Sequence, residues 1–146
     1  MAKEEQIKSQ IILEGEKEYR SACKGINTSL REIGSEMKLA TAEFGDNAES
    51  IDALTRKQDI LKKSLEEQAK KAKAAEDALK KMRDGGIEPT NPAYQKMQTA
   101  LNNTKADMVK IQKEIDDTSE KLKKSKIDWD SCVGKVVEKV LSMDGT

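Results

Sequence analysis

Histidine is absent from the sequence, and aromatic residues, proline and cysteine are scarce. Histidine is the commonest general base and metal ligand, so its absence argues against the usual catalytic and zinc sites. With aromatic residues at 3%, a rounded core has little to fill it. The chain also lacks long apolar runs, and the opening MAKEEQIK has no apolar core of a signal peptide. We therefore expect a chain that is neither secreted nor inserted in a membrane.

An excess of one charge is missing as well, because Lys plus Arg equals Asp plus Glu at 27 each. Without a net field, and with acids interleaved among the lysines, we expect no specific nucleic-acid binding. The only catalytic candidates are carboxylates such as Glu114, Asp116 and Asp117, which we place on a solvated helix flank. Cys23 and Cys132 lie far apart without partner ligands and are interpreted as buried thiols. The sequence predicts no enzyme, no cofactor and no metal site.

What the sequence does contain is three stretches with apolar residues at alternating spacings of three and four. The first runs from Tyr19 to Phe44, the second from Ile51 to Met82, and the third from Tyr94 to Val136. An apolar stripe that repeats about every 3.5 residues is the seam of a coiled coil, because supercoiling keeps the stripe on its partner. We therefore predict an all-α fold, in which a first helix precedes a long antiparallel coiled-coil hairpin.

The strongest helix breakers gather in one segment, MRDGGIEPTNPAYQKM. Gly85 and Gly86 can end one helix in a left-handed turn, and Asn91 can cap the next, with Pro92 at its first position. This arrangement predicts the hairpin tip, and facing seam positions then sum to about 176, a symmetry estimate for an antiparallel pair. The predicted pairs are Met82 with Tyr94, Leu79 with Met97, Ala75 with Leu101, Leu65 with Ile111, Leu61 with Ile115, Leu54 with Leu122, and the polar Gln58 with Thr118.

Polar residues accompany these seams in two patterns. The layer of Gln58 and Thr118 either fixes the register at a cost in stability or is a solvated weak spot. On the second helix an acid repeatedly precedes a base by four residues, which is the favourable orientation for surface ion pairs. These predicted pairs are Asp52/Arg56, Asp59/Lys63, Glu66/Lys70, Glu67/Lys71, Glu76/Lys80 and Asp77/Lys81.

The predicted organisation has four parts. They are an N-terminal arm or short strand at 1–15, a first helix at 16–45, the antiparallel hairpin at 46–126 with its tip at 85–91, and an amphipathic extension at 127–146. The β-branched stretch Ile7–Leu13 is either a short strand or an extended arm. We expect Gly45 to end the first helix, and Asp46 or Asn47 to cap the second.

The C-terminal extension carries an apolar stripe that is wider than a coiled-coil seam. Its residues are Trp129, Cys132, Val133, Val136, Val137, Val140 and Leu141. An uncovered patch of this kind promotes association. Either the first helix folds back on the stripe, or the stripe is a contact surface for another chain.

Three segments, SEMKLATAEFG, LTRKQDILKKSLEEQ and TALNNTKADM, resemble at their present spacing the N-terminal region of tail tape measure proteins from long-tailed bacteriophages and prophages. The resemblance covers residues 7–118. Tape measure proteins are long, mostly helical chains inside the growing tail tube, and their length sets how many rings of tube protein stack. A helix suits such a ruler because it advances about 1.5 Å per residue. No catalytic or binding residues are implied for this region.

The resemblance implies a structural component of a phage tail, assembled in the bacterial cytoplasm. Its expected partners are further copies of itself and tail tube, tail-tip or tail assembly chaperone proteins. A folded hairpin is not itself a ruler, so we expect an end module that docks or oligomerises. The alternative is a non-phage coiled-coil interaction module or holdase-type chaperone, with the C-terminal stripe as its client surface.

Replacing Val136 and Val140 with Asp tests the stripe. Two carboxylates in a protein contact would dissociate the assembly, while helicity should remain largely intact because both positions lie on one helix face. Light scattering reports the assembly and circular dichroism the helicity. If the substituted chain stays assembled, the stripe is internal.

Overall fold

Three long helices account for nearly all of the computed structural model, which describes the backbone of residues 2–144 and the side chains of residues 3–125. Helix α1 spans Ala2–Phe44, α2 spans Ile51–Asp84 and α3 spans Pro92–Asp144, with a short 3-10 turn at Gly45–Asn47. Successive helices pack antiparallel, and residues 2–144 contain no strand. The predicted all-α fold is confirmed, as a three-helix bundle.

Helix α2 is the centre of the bundle. It packs along α3 on one side and along α1 on the other, whereas α1 and α3 touch each other little. Leu54, Leu61 and Leu79 belong to the seam that faces α3 and are buried. On the other side, Ala78 lies against Gly15 of α1, and Lys63 pairs with Glu36 of α1 at 3.4 Å. Two stripes of one helix are therefore buried against two neighbours.

A continuous apolar core lies at the tip end of the hairpin. Met82 is completely buried there. The core consists of Ala72, Ala75, Ala78, Leu79, Met82, Ile87, Tyr94, Met97 and Leu101. Both members of each of the three predicted pairs nearest the tip belong to this core.

The polar layer near the open end of the hairpin differs from its prediction by one residue. Gln58 Nε2 donates a hydrogen bond to Ser119 Oγ rather than to Thr118. Thr118 is buried, and its hydroxyl donates to the Glu114 carbonyl oxygen at 2.6 Å within α3. A buried threonine can satisfy its hydroxyl inside its own helix, which leaves the neighbouring serine for the contact with α2.

The hairpin tip has the predicted helix ends. The Gly86 N–H donates to the Arg83 carbonyl oxygen at 3.0 Å, and the Ile87 N–H donates to the Met82 carbonyl oxygen at 2.8 Å. Gly86 has φ +81, so this is the Schellman motif with glycine in the left-handed region. At the start of α3, Asn91 Oδ1 accepts from the Ala93 N–H at 2.9 Å, with Pro92 as the first helical residue.

The prediction of a strand or an extended arm at Ile7–Leu13 is wrong, because these residues lie inside α1. Ile11 and Ile12 pack against the core at the tip end, so this packing overrides their β propensity. Gly15 does not break the helix either. A Cβ added at Gly15 would lie 3.6 Å from Met82 Cε and 3.7 Å from the Ala78 carbonyl oxygen, so α1 runs close to α2 here with room for one methyl group.

Gly45 does end the first helix, with φ +46, but the prediction that Asp46 or Asn47 caps α2 is wrong. Both lie in the 3-10 turn, and Ser50 is the N-cap. The Ser50 Oγ accepts from the Ala53 N–H at 3.2 Å. Serine is as good a cap as aspartate, and the intervening turn places it at the helix start.

The six predicted ion pairs within α2 are also wrong, since none is among the ion pairs within 4.0 Å in the described part of the chain. Bases of α2 instead reach across to α1, as Lys63 does to Glu36. Glu76 of α2 pairs with Lys105 of α3 at 3.7 Å. Neighbouring helices offer acids at similar distances, so four of the ion pairs link α2 to another helix, whereas Lys70 pairs with Glu67 inside α2.

Two glycine-to-alanine substitutions should have opposite effects on stability. A Cβ at Gly85 would lie 2.6 Å from Ile11 Cδ1 and 3.0 Å from Ile11 Cγ2, so Gly85→Ala should destabilise by about 1–3 kcal/mol through overpacking. A Cβ at Gly15 would make only ordinary contacts inside a helix, so Gly15→Ala should stabilise by about 0.5–1 kcal/mol. Urea unfolding midpoints measure both, and effects of the same sign would contradict the close approach of α1 to the hairpin tip.

Candidate protein-contact site

The contact face predicted from sequence lies outside the described side chains. It comprises Trp129, Cys132, Val133, Val136, Val137, Val140 and Leu141. Both of its predicted covers, α1 and another chain, therefore stay predictions. The described contacts of α1 are with α2 and with the first turns of α3.

A groove between α1 and α3 is one of the concave surfaces among the described residues. Its volume is about 170 Å³, and it lies beside the hairpin tip. Tyr19 and Met97 form its apolar part. On α3, the small side chains of two alanines leave space for the groove. Its full lining is Glu16, Tyr19, Arg20, Ala93, Lys96, Met97 and Ala100.

Helical spacing explains how these side chains come together. Residues 93, 96, 97 and 100 follow i, i+3, i+4, i+7, so they share one face of α3. Residues 16, 19 and 20 share one face of α1 for the same reason. The groove is the gap that remains because both helices pack on α2 more than on each other.

Ion pairs with one lysine of α2 align α1 beside the groove. Lys81 Nζ lies 2.8 Å from Glu18 Oε1 and 3.6 Å from Glu14 Oε2. The hydrogen bond to Glu18 raises the pKa of Lys81 above its ordinary value. Both acids are four residues apart on α1, so a single lysine fixes two successive turns.

Tyr19 is the residue of the groove with a perturbed ionisation. Burial, and then the adjacent thiol of Cys23, raise the pKa of Tyr19 to about 12. Burial acts in this direction because the phenolate loses more hydration than the neutral phenol. The groove therefore presents a neutral aromatic ring. The positively charged Arg20 and Lys96 and the negatively charged Glu16 also line it.

This arrangement suits contact with protein side chains. An apolar floor with charges at the rim is the usual anatomy of a protein interface. The carboxylates named above as catalytic candidates do not line this groove. Glu114, Asp116 and Asp117 are exposed on α3, and Asp116 accepts a hydrogen bond from Gln112 at 3.0 Å. Among the described residues, no cluster of three or more His, Cys, Asp or Glu side chains could hold a metal ion.

Heptad spacing places Tyr19 and Met97 on the seams of two different helices and does not predict that they lie close together. The periodicity gives each helix an apolar face but does not give the offset between α1 and α3. The small residues Ala93 and Ala100, spaced seven apart on one face, are the signal that could have indicated a groove there. Within the described part of the chain, no helix is long and apolar enough to cross a membrane.

No protein-family model, curated protein or solved structure matches this chain.

The raised pKa of Tyr19 predicts a loss of stability at high pH. An unfolded tyrosine ionises near its ordinary value of 10.0, whereas folded Tyr19 keeps its proton to about 12. The unfolded state therefore binds fewer protons across this window, and stability falls as pH rises through it. Tyr19→Phe keeps the ring and removes the proton, so its stability should fall less.

Urea unfolding of both proteins across pH 10 to 12 measures this difference. Lys70 and Lys81, whose pKa values are raised by Glu67 and Glu18, lose their stabilising interactions at similar pH in both proteins, so the comparison isolates Tyr19. Equal losses of stability in the two proteins would contradict a raised pKa of the partly buried Tyr19.

Proposed function

We propose that this chain is a structural component of a phage or prophage tail, corresponding to the N-terminal part of a tape measure protein. The observation that carries the proposal is the place of the three resembling segments in the fold. They occupy residues 35–45, 54–68 and 99–108, and each lies on a different helix of one bundle.

The first two segments pack against each other. Glu36 of α1 pairs with Lys63 of α2 at 3.4 Å. Met37, Ala40 and Phe44 of the first segment line one cavity together with Lys57 of the second segment. Ala40 is buried. The resembling residues thus include those that join α1 to α2, as expected for a likeness that extends to the folded unit.

The third segment joins α3 to α2. Leu101 belongs to the core at the tip end, and Thr104 is buried with its hydroxyl donating to the Ala100 carbonyl oxygen at 2.9 Å. Met108 packs against the same core. The likeness therefore falls on both helix interfaces of α2 and not on one surface helix.

In the proposed role the bundle acts through shape and contact. A helix of 43 residues such as α1 is about 65 Å long, so the bundle is an elongated rod. Such a rod serves as an end module of the tape measure, which meets further copies of itself and the tube, tip or chaperone proteins of the tail. The stripe Trp129–Leu141 and the groove at Tyr19 are its proposed contact surfaces.

The competing reading is a holdase-type chaperone or a coiled-coil module outside phages. The feature that favours it is the width of the apolar stripe, which suits an unfolded client as well as a fixed partner. Light scattering together with an aggregation assay separates the two, because we expect a defined oligomer from an assembly component and suppression of the aggregation of denatured proteins from a holdase.

Deletion of the coding sequence from the encoding phage or prophage tests the tail role. We expect loss of complete tails by electron microscopy, and peptides of this chain in tails purified from the parent. Tails of normal number and length without the chain would contradict the proposal.

Complementation of the deletion with substituted copies of the gene tests the stripe against a matched control. Val109→Asp, at an exposed valine of α3, should restore tails. The double variant Val136→Asp with Val140→Asp should fail to restore them, because it places charge in the proposed contact. Restoration of tails by both variants would contradict a role for the stripe in tail assembly.

A further inference from the structure

We propose that the bundle consists of two cooperative units joined by a polar waist, and that α3 separates from α2 at the open end while the tip end stays folded. The tip unit is the apolar core from Ala72 to Leu101. The base unit lies at the open end and contains Leu54, Leu61 and Ile115. This inference does not rest on the proposed function.

The first observation is a gap in the core at the same level of all three helices. No residue of 62–71 in α2 is buried, and none of 105–114 in α3. These two segments face each other in the predicted register of the hairpin. In α1, none of residues 27–39 is buried either. We call these three segments the waist.

Seam residues cross the waist without being buried. Leu65 of α2, and Met108 and Ile111 of α3, are apolar seam positions that stay partly exposed. Burial of apolar surface is the main source of cooperativity between distant parts of a helix bundle. Because the waist buries little apolar surface, it couples the unfolding of the two units only weakly.

The waist also holds polar groups with little exposure to solvent. The Glu67 side chain is only 17% exposed. It pairs at 2.9 Å with Lys70, whose side chain is 65% exposed. Gln68 Oε1 is buried and accepts no hydrogen bond from any described residue. An unsatisfied buried acceptor favours an open state, in which water can reach it.

The chain connections decide which part separates. α2 joins α3 at the hairpin tip, through residues 85–91, and joins α1 at the open end, through residues 45–50. At the open end α3 is therefore attached to α2 by side chains alone. Those described are the buried Ile115 and Thr118, the Gln58–Ser119 hydrogen bond and the exposed Lys121–Glu49 pair at 3.0 Å.

Opening at this end would uncover a defined surface. Leu54 and Leu61 of α2 would lose their cover from α3, and Ile51 is already 52% exposed beside them. The uncovered residues form a seam with coiled-coil spacing, which is the surface that another amphipathic helix would use.

Hydrogen exchange measured by mass spectrometry on the full chain tests the proposal. In low urea, amides of residues 115–125 should exchange at least about tenfold faster than those of 72–84 and 92–101, through an opening that leaves the tip unit protected. Equal opening of all three segments, with the same urea dependence, would show one cooperative unit and overturn the proposal.

Gln68→Leu tests the waist itself. Leucine replaces the unsatisfied amide with an apolar group of similar size, so protection at residues 115–125 should rise by roughly tenfold, the size expected for removing one such group. Gln112→Leu is the matched control, because Gln112 is exposed on α3 within the waist. Equal effects of the two substitutions would overturn the role of the waist, and the exchange pattern of the unsubstituted chain decides the two-unit structure if either variant does not fold.

Discussion

The fold depends on the burial of two separate stripes of one helix. α2 packs one side against α3 and the other against α1, and the flanking helices touch each other little. Burial of apolar surface stabilises by about 25 cal/mol per Å², so the helix that buries two stripes supplies most of the available free energy. Loss of either interface would leave an amphipathic helix with an uncovered side.

The fit between helices relies on small residues of α2 and its neighbours. Ala75 and Ala78 are buried on α2, and Gly15 and Gly85 lie where α1 meets the tip end. Small side chains bring helices close enough for large ones, such as Met82, to be fully enclosed. Towards the middle, half-buried leucine and isoleucine accompany glutamine and glutamate, so packing quality varies along the rod.

The described residues offer an elongated shape and surfaces that suit contact with other proteins. The groove at Tyr19 joins an apolar floor to a charged rim, and the proposed separation of α3 at the open end would uncover a seam of α2. The proposed tail role and the chaperone alternative both depend on such contacts. They differ in whether the partner is fixed or unfolded.

The sequence by itself determined the helical class and the hairpin tip, because heptad spacing and the glycine, asparagine and proline signals act locally. Only the tertiary structure decided that Ile7–Leu13 is helical, that α2 bases pair with α1, and that Tyr19 lies near Met97. The groove, unlike the seams, depends on the offset between two helices that are distant in sequence. Periodicity describes one face of one helix, whereas which neighbour covers that face is decided by packing among all three.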